Sequence, residues 1–451
     1  MAAALLFAIA LAPAAAQHTR RIEYSDLPAS LQGSLSRGGI TADRFPSYIR
    51  SLEADTDRRV ARGEAEHVIY YALQSTRFTA RPPIEPAISA RRFVERLAPS
   101  ERERLLADPA YVPKAGWPDA ERTRVADLLH ALGEPQSDAR LAYFQEIVGA
   151  DRGNVDALFA DYVRIARFLY EKETLSPADP AGVSRLYQAR PHSSDTQIEA
   201  GFGVYLAFGA LHGLDAQFRA RRVLIVGPGM DLAPRTDLVD AVAPQSYQPF
   251  AVADALVGLS LASIDGLRVH SVDVNPRVVR ALDTLARDGV TLHLLRGISE
   301  TKDQPLSDEY KAYVARLGLS IGRKTTAPPP IAADRRYLHS IVVRPELTRA
   351  MTAERLNIVT GRIVEDPFDA IVATNVLTYF DERTLGLALA NIASMLRPGG
   401  YFVHNEARAG LVEAAESVGM PAVHMRSAVI GGAATAPLYD AVWLHRKDKP
   451  F

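Results

Sequence analysis

The sequence contains no cysteine. That excludes disulfides, thiolate zinc sites and a cysteine nucleophile, and it leaves the compartment open. An excess of one charge sign is also lacking: 52 Lys and Arg stand against 53 Asp and Glu, a formal net charge of −1. No global field therefore draws the chain to nucleic acid or to acidic lipid. Long apolar runs are scarce. Phe202–Leu211 is too short to span a bilayer and is interrupted by Gly203 and Gly209. Apart from these absences, 47% hydrophobic and 23% charged residues are ordinary for a globular protein. A length of 451 residues is enough for two or three domains.

The N-terminus pulls in two directions. Ala2–Leu11 is an apolar run, and Ala14-Ala15-Ala16 offers a small-residue cleavage site before Gln17. Residues 1–16 thus have the form of a secretory signal peptide, although Lys and Arg are missing ahead of the run. A start codon set too early, or a buried helix, gives the same pattern. Export and a cytoplasmic location both stay open.

Residues 20–215 read as a helical N-terminal domain. Ser100 with Glu103, and Thr196 with Glu199, have capping-box spacing. Ala120–Leu132 is a short helix closed by Gly133. Val155, Leu158, Phe159, Tyr162, Ile165, Ala166 and Leu169 keep the spacing of one buried helical face. Tyr70–Phe78, ahead of Arg81-Pro82-Pro83, combines aromatics with Gln74 and Arg77. It reads as an acceptor-recognition surface or as a plain helix stopped by prolines.

From about residue 216 to the end the pattern becomes α/β, with short apolar strands alternating with helices. Strand candidates are Val223–Val226, Val269–Val272, Asn357–Val359, Ala370–Ala373 and Tyr401–Val403. Their continuous apolar character predicts a Rossmann-like, mostly parallel sheet buried on both faces. Ala422–Val429 and Leu438–His445 are expected to close it as an antiparallel pair. Ile298 to about Ala353 reads as an insertion, with Pro328-Pro329-Pro330 inside it. A segment of that length is expected to be a lid, a binding loop or a small subdomain.

Three stretches carry chemistry. The strand Val223–Val226 runs into Gly227-Pro228-Gly229-Met230-Asp231, a turn that lets backbone approach a ligand at the carboxyl edge of the sheet. The strand Val269–Val272 ends in Asp273, with Asn275 two residues on. A carboxylate there accepts hydrogen bonds from two ribose hydroxyls, and Asp273 or Asn275 can equally cap the helix opened by Pro276. The third stretch, Phe368-Asp369 through Thr374-Asn375 to Tyr379-Phe380-Asp381, ends a strand in polar residues and an aromatic turn. Leu396-Arg397-Pro398-Gly399-Gly400 then turns a helix into the next strand.

In this order the motifs resemble the class I S-adenosylmethionine-dependent methyltransferases over about residues 205–446. Asn375–Asp381 is similar to the corresponding stretch of the chemotaxis-receptor methyltransferases. The resemblance implies S-adenosyl-L-methionine as cofactor and direct methyl transfer to an acceptor, a small molecule or a protein, that it does not name. It places Gly227, Pro228, Gly229, Asp231, Asp273, Asn275 and Asn375 at the cofactor. Tyr379, His404 and Glu406, at the ends of later strands, are candidates for the acceptor side; Tyr379 can also pack on the cofactor, and His404 and Glu406 can be plain strand-end residues. No metal site, nucleic-acid partner or transmembrane span is expected.

The chain departs from that family at Ile225, where an acidic residue is usual, and at Arg362, where an acid often follows the third strand. Asp231 is then the expected partner of the cofactor's amino-acid end. Ala233–Leu261 is a second insertion. Two other readings stay open. A nicotinamide-dependent oxidoreductase is disfavoured by Leu232 at the last position of the glycine fingerprint and by the 46 residues between Gly227 and Asp273, against about 20 in that fingerprint. A non-catalytic module that keeps the sheet for binding is the other.

Overall fold

In the computed structural model the described residues are 18–75, 81, 89–108, 110–113, 119–133, 139–148, 155–175, 179–232, 236–302, 304–433 and 436–448. The signal-like segment lies outside them, as does the Tyr70–Phe78 stretch from residue 76 onward. The strands are β1 (Thr19–Arg21), β2 (Arg222–Val226), β3 (Arg268–Asp273), β4 (Thr291–Leu295), β5 (Gly322–Thr325), β6 (Tyr337–Val343), β7 (Met351–Arg355), β8 (Gly361–Ile363), β9 (Phe368–Ala373), β10 (Leu396–His404), β11 (Ala422–Ala433) and β12 (Ala436–Arg446).

Among the described residues the largest sheet has seven strands in the order β11-β12-β10-β9-β2-β3-β7. β10, β9, β2, β3 and β7 run parallel, β12 is antiparallel to β10, and β11 is antiparallel to β12. This is the mixed α/β, Rossmann-like class read from the sequence. The central strands β2 and β9 are mostly apolar because both faces are covered. Val223 and Ile225 of β2 enter one core, while Leu224 and Val226 enter the other. The chain leaves β2 toward β3 and β7, then returns to β9 and β10 on the other side. That reversal opens a crevice at the carboxyl ends of β2 and β9.

One strand expectation fails. Asn357–Val359 is a turn, and β7 is the strand beside β3. The Asn357 side chain accepts from Val359 N at 3.0 Å, satisfying its own backbone two residues on. The next segment, β8, pairs instead with β1.

The helices preceding the sheet are α1 (Ala29–Arg37), α2 (Phe45–Leu73), α3 (Ala90–Arg96), α4 (Pro99–Ala107), α5 (Asp119–Gly133), α6 (Ala139–Val148), α7 (Val155–Leu175), α8 (Pro180–Ala189) and α9 (Glu199–Leu214). Neither expected capping box forms. Ala98 and Ile198 occupy the cap positions of α4 and α9, without a side-chain cap. The Glu199 carboxylate instead accepts from Gly297 N, Ile298 N and the Tyr310 hydroxyl.

Packing does not divide the chain at residue 215. Ile22, Leu35, Phe45 and Ile49 pack on one face of the sheet, and α9 packs on the other. Helix α2 joins the two regions. Its first turns lie on the sheet, and Val68, Ile69, Ala72 and Leu73 enter a separate helical core with α3, α5 and α7. At 29 residues it is about 44 Å long. Gly63 inside it has a reason: a Cβ there would collide with the His192 carbonyl.

Residues 298–353 are not a lid. β4, β6 and β5 form an antiparallel sheet, and Tyr310, Tyr313 and Val314 of the helix Asp308–Arg316 are buried in the same core as α9. The apolar face of that helix commits the segment to the interior. The other insertion, Ala233–Leu261, likewise supplies the buried helix Gln248–Gly258.

Candidate functional site

β2 ends in the Gly227–Gly229 turn because only glycine takes these angles without strain: φ is 65° at Gly227 and 62° at Gly229. A Cβ on Gly229 would strike the Thr196 side chain. The segment before α9 lies alongside the turn, with Met230 N donating to Ser194 O at 2.7 Å and Thr196 N to Met230 O at 2.8 Å.

Asp273, at the end of β3, is 7% exposed. Its Oδ1 accepts from Asn275 N at 2.8 Å and its Oδ2 from Gly229 N at a long 3.4 Å. Burial raises its pKa to about 6, opposed by those amide hydrogen bonds. The cap of the following helix, Pro276–Asp288, is Asn275, whose Oδ1 accepts from Arg277 N at 2.9 Å. Asn275 Nδ2 donates to Ser194 Oγ at 2.6 Å and to Glu64 Oε2 at 3.2 Å. Glu64, on α2, also accepts from Arg277 Nε at 3.2 Å. A buried carboxylate thereby fastens the N-terminal helices to the edge of the sheet.

At the end of β9, Asn375 has φ of 59°, unusual for a side-chain-bearing residue. Asn405 holds it there: Asn375 N donates to Asn405 Oδ1, and Asn405 Nδ2 donates to Asn375 Oδ1, both at 2.8 Å. Asn405 Nδ2 also reaches Asp440 Oδ2 at 2.8 Å. Strain of this kind concentrates where a chain is positioned for a ligand.

A cavity of about 750 Å³ opens at this edge. Gly227, Gly229, Asp273, Asn275 and Asn375 line it; Pro228 and Asp231 do not. Asp231 is buried, and its Oδ1 accepts from Gln245 N at 2.6 Å, so it ties down the following loop. The departure at Arg362 also has a structural account. Arg362 pairs with Asp26 of the N-terminal segment at 2.7 Å, and the cavity wall there is Leu356, Asn357 and Ile358.

Of the acceptor-side candidates, Tyr379 and Glu406 line the cavity and His404 does not. His404 is fully buried, with Nε2 at 2.9 Å from His445 Nε2. Tyr379 accepts from Ser193 N at 3.3 Å and packs edge-on against His192 and Tyr187. Burial raises its phenol above the usual range, so it stays protonated. Burial also raises the carboxyls of Glu406 and Asp440, with Arg408 opposing it at Glu406.

The opposite wall was not visible in the sequence. His67 and Tyr71 of α2, Phe168 and Lys172 of α7, and Arg190 and His192 beyond α8 face the same space. Burial pushes His192 down to about 3, helped by Arg59 and Arg190, and it holds His67 well below its usual range. Both imidazoles are neutral. Tyr71 donates to Asp195 Oδ2 at 3.1 Å. Tyr71 is the one point at which the Tyr70–Phe78 stretch meets the cavity among the described residues.

A glycine turn, an acid-ended second strand and a crevice at the switch point are the features with which doubly wound sheets bind nucleotide cofactors. Residues 330–422 match the family model described as CheR methyltransferase, SAM binding domain. The expected S-adenosylmethionine-dependent methyltransferase domain, with S-adenosylmethionine as its cofactor, agrees with that match. Solved structures with similarity to the chain include the N-methyltransferase NodS from Bradyrhizobium japonicum WM9 in complex with S-adenosyl-l-homocysteine. It is 14% identical, with 60% of this chain and 100% of that chain covered and a TM-score of 0.30. Magnesium protoporphyrin IX methyltransferase (ChlM) from Synechocystis PCC 6803 with bound SAM is 9% identical, with 55% and 80% covered and a TM-score of 0.29. No curated protein matches the chain.

The residues present fit the cofactor. Asp273 has lone pairs to spare beyond two backbone amides, enough for a pair of ribose hydroxyls. The glycine turn leaves open the space that side chains would fill.

Proposed function

We propose that the protein transfers a methyl group from S-adenosylmethionine to an acceptor held between α7, α8 and the ends of β9 and β10. One observation carries the reading: the cavity bordered by Gly227, Gly229 and Asp273 is the same cavity that Tyr379 and Glu406 line. The cofactor, when bound, supplies a methyl group already activated by its sulfonium, to which the electron pair of the broken carbon–sulfur bond returns. Asp273 accepts from the ribose hydroxyls, and Asn375 shapes the wall between cofactor and acceptor. The chain's remaining task is to hold the acceptor atom in line and keep water out. Tyr379, protonated and fixed by Ser193, orients the acceptor. Where the acceptor carries a proton, Glu406 takes it, since a carboxyl raised by burial is a better base than an exposed one.

Calorimetry tests the reading. S-adenosylhomocysteine is expected to bind and NAD is not. Binding of NAD without binding of S-adenosylhomocysteine would return the fold to the oxidoreductases. Tight S-adenosylhomocysteine binding without turnover on any acceptor would make the chain a binding module.

A further inference from the structure

Among the described residues Arg190 is a buried cation without a counter-ion. It is 8% exposed and lines the cavity, and it forms no ion pair among the described residues. Its guanidinium lies 3.9 Å over the centre of the Phe168 ring, and its Nη2 is 3.3 Å from each ring nitrogen of His67. Neither neighbour neutralises it. Phe168 offers a ring face, and His67 is held neutral by burial and by Arg190 itself. Two more cations stand close by. Lys172 lines the same cavity with Nζ 5.5 Å from the Tyr187 ring centre, and Arg59 donates to the carbonyls of Tyr187, Gln188 and Arg190. The nearby Asp195 accepts from Tyr71. Buried charges in folded proteins are ordinarily paired, because an uncompensated one is strongly destabilising.

We infer that the acceptor is a small aromatic anion whose charged group is bound by Arg190, with Lys172 at the rim. The inference rests on the methyltransferase reading and adds the substrate class. A carboxylate or phosphate oxygen supplies the counter-ion that the fold withholds from Arg190, through charge-assisted hydrogen bonds. Tyr187, Tyr379 and His192 line the same cavity and pack edge-to-face on one another, an aromatic lining that suits a flat ring. The cavity holds cofactor and acceptor together in about 750 Å³, within the ordinary range for small-molecule sites.

The experiment titrates benzoate, phenyl phosphate, benzamide and benzylamine into protein saturated with S-adenosylhomocysteine. The wild type is expected to bind benzoate or phenyl phosphate about tenfold or more tightly than benzamide, and benzylamine least. Arg190→Gln should abolish that preference and leave S-adenosylhomocysteine affinity unchanged. It should also raise the melting temperature of the free protein, because the unpaired charge is gone; a purely structural arginine would lower it. Lys172→Gln, at an exposed side chain, carries the test if Arg190→Gln does not fold, and should weaken anion binding severalfold. The inference is overturned if no anionic probe binds at millimolar concentration or if benzamide or benzylamine binds as well as benzoate. It is also overturned if the variants keep the anion preference, or if a glutamate-containing peptide binds in place of the phenyl anions. Failure to bind S-adenosylhomocysteine sinks the methyltransferase reading instead, so the two failures are distinguishable.

Discussion

The two walls of the cavity are built on different plans. The sheet wall is made of strand ends: Gly227 and Gly229 after β2, Asp273 at the end of β3, Asn375 after β9. Backbone angles and one carboxylate do most of its work, and each element is local in sequence. The helical wall takes side chains from α2, α7 and the end of α8, and it is aromatic and cationic. A common cofactor can be met by a repeated local device. An individual acceptor must be met by side chains brought together from afar.

The sheet wall gives the largest predicted effect. Asp273→Ala should weaken S-adenosylhomocysteine binding by about tenfold to a hundredfold, the worth of hydrogen bonds to a buried charged group. Asp273→Ser should fare no better. Since Asn275 is the helix cap, any fall in melting temperature in either variant comes from the lost acceptors of Asn275 N and Gly229 N and not from uncapping the helix. Calorimetry showing full affinity in the serine variant would remove the ribose contact from the sheet wall.

Acidification should reproduce part of that loss. Asp273 has its pKa raised to about 6, so its carboxyl is protonated below that value and accepts poorly. Affinity should fall as pH drops through about 6, and Asp273→Asn should flatten the profile. The same shift acts oppositely on stability. Between the ordinary carboxyl value and about 6 the folded chain binds more protons than the unfolded one. Asp273 therefore costs stability as pH rises through that window. A pH-independent affinity in the wild type would remove this carboxylate from the cofactor contact.

The joint between the walls is Glu64. Glu64→Gln should lower stability by about 2 kcal/mol in denaturant unfolding, because the half-buried Arg277 loses the buried one of its two carboxylate partners. Anion binding at the helical wall should weaken more than cofactor binding. Equal losses at both walls would mean that the walls are not separate units.

The smallest effect belongs to Asp231. Asp231→Asn should cost about 1 kcal/mol of stability, from its hydrogen bond to Gln245 N, and leave cofactor affinity within about twofold. A large affinity loss would restore the role expected from the sequence and extend the sheet wall past Gly229.

Much of the sheet could be read from the chain alone. β2, β3, β9, β10 and the β11–β12 hairpin are apolar segments between Gly, Asp and Asn, and parallel strands buried on both faces leave that trace in any sequence. Asn357–Val359 misled because three residues in a row fit a strand as well as a turn, and the Asn357 side chain decided between them. His404 does end β10, but a contact with His445 on β12, 41 positions away, buries it and keeps it out of the cavity.

The sequence by itself determined the sheet, its glycine turn and the acid that ends its second strand. Each depends on neighbours a few residues apart, where backbone angles and period-two burial leave a local mark. Only the tertiary structure decided that α2 crosses from one core to the other, that Tyr310, Tyr313 and Val314 pack into the core of α9, and that, among the described residues, Arg190 meets Phe168 and His67 without a carboxylate. Those facts depend on which distant surfaces meet, and a charge buried by such a meeting carries no mark in the residues beside it.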